Sequence, residues 1–132
     1  MVLWRSSKQT TPALSTCEAE VSAAALTFQI LEGLKHLLLE WGADVGIPTL
    51  YQDNRSALTV SALGGTWRTR YFAVRASRIA HETLHNNVQL AFCPTKQMVA
   101  DACTKLSTAE VLASLRSCLN GRFPDMALAI PC

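Results

Sequence analysis

Three acidic side chains occur where predicted strands and helices meet, which is where carboxylates from different elements can come together. Glu18 lies in the first turn of a predicted long helix, Asp53 ends a predicted strand, and Asp101 opens or precedes a helix after the predicted strand "VQLAF". If they converge on one edge of a sheet, their oxygens offer the ligands that hard divalent cations prefer. Two such cations can clamp the attacking and leaving oxygens of a phosphodiester. Helix capping and solvated surface remain the alternative reading of all three acids.

Four arginines form a second candidate group within eleven residues that contain no acid. Arg68 and Arg75 are seven residues apart and Arg75 and Arg78 are three apart, so these side chains can share one face of a helix. The group could contact the phosphates of a nucleic acid, or it could be an ordinary solvated face. Trp67 and Tyr71 lie in the same stretch and could stack on bases or sugars, although core packing is the more ordinary role. The candidate nucleic-acid-binding residues are Arg68, Arg70, Arg75 and Arg78.

Length and composition restrict the class of protein. The 132 residues predict one domain with a modest core. Five cysteines without a CxxC pair argue against a disulfide framework or a structural zinc site, and they favour a reducing environment. No apolar run approaches the ~20 residues that span a bilayer, and the start lacks the apolar core of a secretory signal. We therefore expect an intracellular protein, cytoplasmic or nuclear, without membrane contact.

Helices alternating with strands predict an α/β fold. A capping box from Ser15 to Glu18 opens a long helix that Gly42 ends. A short helix follows Asn54, and the hydrophobic periodicity of "RTRYFAVRASRIAHETLHN" predicts another. The segment "TKQMVADACTKL" reads as helical or turn-rich, and a last helix begins with a capping box at Ser107. The predicted strands are "VLW", "IPTLYQD" and "VQLAF".

Five sequence blocks add a more specific signal through their order: "WRSSKQ", "STCEAEV", "YQDNRSAL", "RTRYFAVRASRIAHE" and "FCPTKQMVADACTKL". Together they resemble the ribonuclease H domain at the end of the Pol polyprotein of Ty1/copia-type LTR retrotransposons. The corresponding family runs are similar to W-x-S-x-K-Q, S-S-T-E-A-E-Y, D-N-x-S-A, R-T-K-H-I-D-I-R-Y-H and P-T-x-x-x-x-A-D-x-x-T-K. The resemblance covers roughly residues 3–119 and leaves 120–132 as a C-terminal tail.

This resemblance implies a ribonuclease H-like fold and an endonuclease that cuts the RNA strand of RNA–DNA hybrids with two Mg²⁺ ions, for which Mn²⁺ can substitute. Glu18, Asp53 and Asp101 match the family's catalytic and metal-binding acids. With Asp53 on the metal, the helix cap would fall to Asn54 or Ser56. The implied partners are the hybrid and the reverse transcriptase portion of the parent polyprotein.

The departures from the family pattern predict an incomplete fold and impaired cleavage. No residue matches the family's first-strand aspartate, and its first two strands are missing, so we expect an exposed sheet edge that favours self-association. Cys17 replaces a threonine and Ser77 a histidine, and Arg70 to Ala73 stand for Lys-His-Ile-Asp. The family's T-K-P-L ending is here Thr104-Lys105-Leu106, without the proline. A non-catalytic remnant or a nucleic-acid-binding module is therefore the competing hypothesis.

Overall fold

A computed structural model describes residues 5–103, 106 and 108–122 of the chain. These residues contain four α-helices and a two-stranded parallel sheet. The chain divides into two compact units, of which the larger covers residues 13–92 and the smaller includes residues 5–12 and 93–122. The predicted strand "VLW" and residues 123–132 of the predicted tail lie outside the described residues. None of the described helices is long and apolar enough to cross a bilayer.

Helix α1, Thr16–Glu40, begins and ends as the sequence predicts. Ser15 is the N-cap, and its hydroxyl accepts a hydrogen bond from the Glu18 backbone N–H at 3.1 Å. At the other end Gly42 has φ 77°, and the N–H groups of Gly42 and Ala43 donate to the carbonyls of Leu39 and Leu38. This pair of bonds is the Schellman motif, which glycine favours because it has no Cβ to clash in the left-handed region.

Strands β1, Thr49–Gln52, and β2, Gln89–Phe92, pair in parallel with Thr49 opposite Gln89 and Gln52 opposite Phe92. Helices α2, Arg55–Leu63, and α3, Ala73–Leu84, lie between them in the chain. Because two strands cannot bury an apolar face alone, helices cover the sheet. The principal core cluster combines side chains of α1, α2, α3, both strands and Val88: Ala24, Phe28, Leu50, Leu58, Ile79, Val88 and Leu90.

The predicted helix over "RTRYFAVRASRIAHETLHN" is divided in the structure. A 3₁₀ turn, Trp67–Thr69, comes first, and α3 begins only at Ala73. Thr66 and Thr69 bond each other through a capping box, which closes the turn locally. Phe72 is buried between the two pieces and packs with Val21, Ala57 and Ala76 in a second core cluster. The ring is buried as the periodicity predicts, but the Phe72 backbone, with φ −126° and ψ 12°, lies outside the helical region and separates the two pieces.

The smaller unit has two 3₁₀ turns, Thr95–Gln97 and Val99–Cys103, followed by helix α4, Ala109–Leu119. The turn-rich prediction for this segment is confirmed. Thr108, rather than the predicted Ser107, caps α4 by accepting a bond from the Val111 N–H. Helix α4 packs against the Val99–Cys103 turn. The ribonuclease H-like fold and self-association through a sheet edge stay predictions.

Two glycines offer a matched test of the packing in the larger unit. A Cβ on Gly65 would lie 2.5 Å from the Ala73 Cβ and 2.7 Å from its Cα, so Gly65→Ala requires the backbone to move. We expect a loss of about 1–3 kcal/mol, as in other overpacked sites. A Cβ on Gly33, within α1, meets nothing within 4 Å, so Gly33→Ala should stabilise by about 0.5–1 kcal/mol.

Urea unfolding followed by circular dichroism measures both changes. If Gly65→Ala unfolds at the same urea concentration as the parent chain, the close approach of residue 65 to the start of α3 is wrong.

Candidate active site

Glu18 lies at the N-terminal end of α1 and already takes part in a capping arrangement. Its Oε2 accepts a hydrogen bond from the Leu14 backbone N–H at 2.8 Å, while its own N–H donates to Ser15. The carboxylate therefore folds back over the start of the helix, where the positive end of the helix dipole favours a negative charge. The capping role that the sequence left open is thus realised, with one carboxylate oxygen engaged.

Asp53, predicted as the last residue of a strand, lies directly after the last residue of β1, and the next residue caps α2. The Asn54 side chain accepts a bond from the Ala57 N–H at 3.1 Å, so Asn54 rather than Ser56 is the N-cap. Asp53 is half-buried at the bend between strand and helix and is not the cap. Its carboxylate is therefore placed at the strand end without being required to start the helix.

Gln52 connects the strand end to α1, and the sequence reasoning missed it. The side chain is 5% exposed, and its Nε2 donates to the Glu20 carbonyl at 3.4 Å. This bond ties the end of β1, beside Asp53, to the first turns of α1, beside Glu18. The Gln52 Oε1 is buried and accepts no hydrogen bond within the described part of the chain. The sequence held one signal for this role: Gln52 is a polar residue at a position of the apolar strand that faces the core.

Asp101 belongs to the smaller unit, where it lies in the Val99–Cys103 turn and its N–H donates to the Met98 carbonyl at 3.1 Å. Its convergence with Glu18 and Asp53 stays a prediction. Carboxylate and amide oxygens suit Mg²⁺. However, the described residues form no group of three or more His, Cys, Asp or Glu side chains that could hold a metal ion. The donor chemistry of the three acids fits Mg²⁺, and their assembly into one site stays a prediction.

The candidate arginines differ in their surroundings. Arg78 pairs with Glu32 and with Glu82, each at 2.9 Å, so carboxylates of α1 and α3 oppose its charge. A hydrogen bond from Asn87, together with the charge of Arg78, lowers the pKa of Glu82 despite its partial desolvation. Arg75 donates to the Ser22 hydroxyl at 3.4 Å. These two arginines therefore help to hold α3 against α1.

Arg68 and Arg70 lie in or beside the 3₁₀ turn and are exposed. The Arg70 guanidinium carbon is 5.9 Å from the centre of the Trp67 ring and 5.0 Å from that of the Tyr71 ring. Trp67 is 73% exposed and Tyr71 is 65% exposed, so the core-packing interpretation of these two rings is wrong. The turn instead presents two aromatic rings and two cations to solvent.

Cys17 precedes Glu18 but is a poor candidate for a nucleophile. Burial raises the pKa of its thiol, and the nearby charge of Glu20 raises it further. Both effects favour the protonated thiol, whereas the thiolate is the reactive form.

The chain is similar to the Transposon Ty1-NL2 and Transposon Ty1-DR6 Gag-Pol polyproteins of Saccharomyces cerevisiae. It is 32% identical to each over 103 residues, which are 76% of this chain. The aligned part is only 6% of the length of each polyprotein. No protein-family model and no solved structure matches the chain. The homology supports a Ty1/copia-type retrotransposon origin for this region.

The cap beside Asp53 can be tested separately from catalysis. Asn54→Ala removes the acceptor of the Ala57 N–H, and we expect it to cost about 1 kcal/mol of stability. Ser56→Ala, on an exposed residue of the same first turn, should change stability by less than about 0.5 kcal/mol. Chemical denaturation of the two variants measures the difference. Equal losses would contradict the assignment of Asn54 as the cap.

Proposed function

We propose that this retrotransposon-derived chain is a ribonuclease H-type region, descended from a two-metal endonuclease that cuts the RNA strand of RNA–DNA hybrids. The five ordered blocks and the homology to Gag-Pol polyproteins support the descent. The observation that carries the proposal is the bond from Gln52 to Glu20. It joins the two elements whose ends bear Glu18 and Asp53, the acids that such a site needs.

Glu18, Asp53 and Asp101 would hold the metal, with Mg²⁺ as the natural ion and Mn²⁺ as a substitute. When bound, paired ions activate water and stabilise a leaving oxygen. Three carboxylates cannot neutralise two divalent ions, and Glu18 is partly committed to its cap. We therefore propose that cleavage by this chain is weak or absent.

Hybrid binding would depend on the exposed cations rather than on the carboxylates. Arg68 and Arg70 are exposed in the turn and can contact phosphates. Arg75 and Arg78 are exposed as well, but their contacts with α1 and α3 also support the position of α3. Recognition through the backbone and the 2′-OH needs no reading of base edges. In the parent polyprotein, the reverse transcriptase portion would supply the hybrid inside the cell.

The second candidate function is a nucleic-acid-binding module without catalysis. It is favoured by the absence of a three-ligand group among the described residues, together with the exposed arginines of the 3₁₀ turn. The two functions share the binding step and differ only in hydrolysis.

A labelled RNA–DNA hybrid in Mg²⁺ tests both functions on this chain. We expect little or no cleavage, and binding that weakens as salt rises. Arginines release counterions from the phosphates when they bind, and this release is less favourable at high salt. Arg68→Ala should lower the magnitude of the salt slope by about 0.9 if one phosphate contact is lost. Asp53→Asn tests the site, and Asp44→Asn, on an exposed loop acid, is the matched control.

Each outcome has a distinct meaning. Strong cleavage that Asp53→Asn abolishes and Asp44→Asn preserves would show that the three acids of this chain suffice for hydrolysis. The proposal that cleavage is weak or absent would then be wrong. A longer chain carrying a first-strand aspartate should recover cleavage, again dependent on Asp53. Failure of that chain to cleave would favour the binding module, and failure of this chain to bind the hybrid would contradict both functions.

A further inference from the structure

We propose that Trp67, Arg70 and Tyr71 form a stacking platform for unpaired bases, through which the chain binds single-stranded nucleic acid. This activity goes beyond the proposed hydrolysis, because it uses neither Glu18 nor Asp53 and needs no metal. We call these three residues the aromatic platform.

The platform exposes a large aromatic surface that the fold does not use. Trp67 is 73% exposed and Tyr71 is 65% exposed. Arg70 lies within cation–π distance of both rings, and its Nη2 donates to the Tyr71 hydroxyl at 3.1 Å. Aromatic rings and a guanidinium plane offer flat surfaces to a base, and every base has a π-face that can stack on them.

The backbone beneath the platform is held on both sides. The Thr66 N–H donates to the Thr69 hydroxyl at 2.6 Å, and that hydroxyl in turn donates to the Thr66 carbonyl at 3.1 Å. Phe72, the residue after the platform, is buried, and Gly65 lies against Ala73. The backbone that carries the three side chains is therefore held before a ligand binds, so only the side chains remain to be ordered, which lowers the entropic cost of binding.

The positive charge around the aromatic platform favours a polyanion as its ligand. The sequence contains no Asp or Glu from Asn54 to His81, and Arg68 is exposed in the same turn. A strand of phosphates complements this surface, whereas a second copy of the chain would bring the same positive turn. Stacking then distinguishes single strands from duplexes, because paired bases are already stacked on each other and only unpaired bases offer both faces.

Fluorescence anisotropy with a fluorescein-labelled oligothymidylate of about 12 nucleotides, a length within the range of single-strand sites, tests the proposal. The titrations contain EDTA, so that no divalent metal contributes. We expect Trp67→Ala and Tyr71→Ala to weaken binding by about 5-fold to 100-fold each. Arg70→Lys should also weaken it, because lysine keeps the charge but lacks the planar group.

Trp41→Ala is the matched control, since Trp41 is 76% exposed and forms no cation–π pair with an arginine among the described residues. It should leave the affinity within 2-fold. Circular dichroism confirms that each variant is folded, as substitutions at exposed side chains should allow.

An abasic strand of equal length separates stacking from phosphate attraction, and we expect it to bind more weakly than oligothymidylate. Equal affinity for both strands, equal losses from Trp41→Ala and Trp67→Ala, or no binding at low salt would overturn the proposal. Sedimentation that shows a dimer dispersed by Trp67→Ala would also overturn it, because the surface would then be an interface between copies.

Discussion

The parallel pairing of β1 with β2 is the constraint on which the arrangement of the larger unit depends. Parallel strands cannot be joined by a tight turn, so the chain between them must cross over through a long connection. Helices α2 and α3 form that connection, and their buried side chains join Phe28 of α1 over the strands. The end of β1 is consequently fixed against the start of α1, with Gln52 and Glu20 bonded across the junction. Asp53 and Glu18 owe their positions to this geometry.

The sequence predicts best where the deciding interactions are local. Ser15 with Glu18, Asn54 with Ala57, and Gly42 with Leu39 each join residues three positions apart in the chain. Such bonds are encoded in short patterns, so the ends of α1 and the start of α2 could be predicted. The break before α3 could not, because the burial of Phe72 beside Val21 and Ala57 depends on tertiary packing. Gln52 was missed for the same reason, since its partner lies 32 residues away.

The candidate arginines show the same limit for a functional site. Their spacing suggests one common face, but the partners that distinguish them lie elsewhere in the chain. Arg78 meets Glu32, 46 residues away, and Arg75 meets Ser22, 53 residues away. These contacts give part of a presumed binding surface a second role as an attachment between helices, although all four arginines remain exposed. Charge density along a sequence therefore identifies candidates, and tertiary partners determine which cations are available to a ligand.

Cleavage and binding make different demands on this fold. The proposed metal site would draw on acids at residues 18, 53 and 101, so every ligand would depend on distant elements being in place. The aromatic platform lies within residues 65–73, held by the Thr66–Thr69 bonds and by the burial of Phe72. Loss of one acid weakens the whole metal site, because closely spaced cations need several negative ligands. The exposed turn keeps its rings and charges through the same loss. If both proposals hold, a chain of this descent can lose hydrolysis while its contacts with nucleic acid persist.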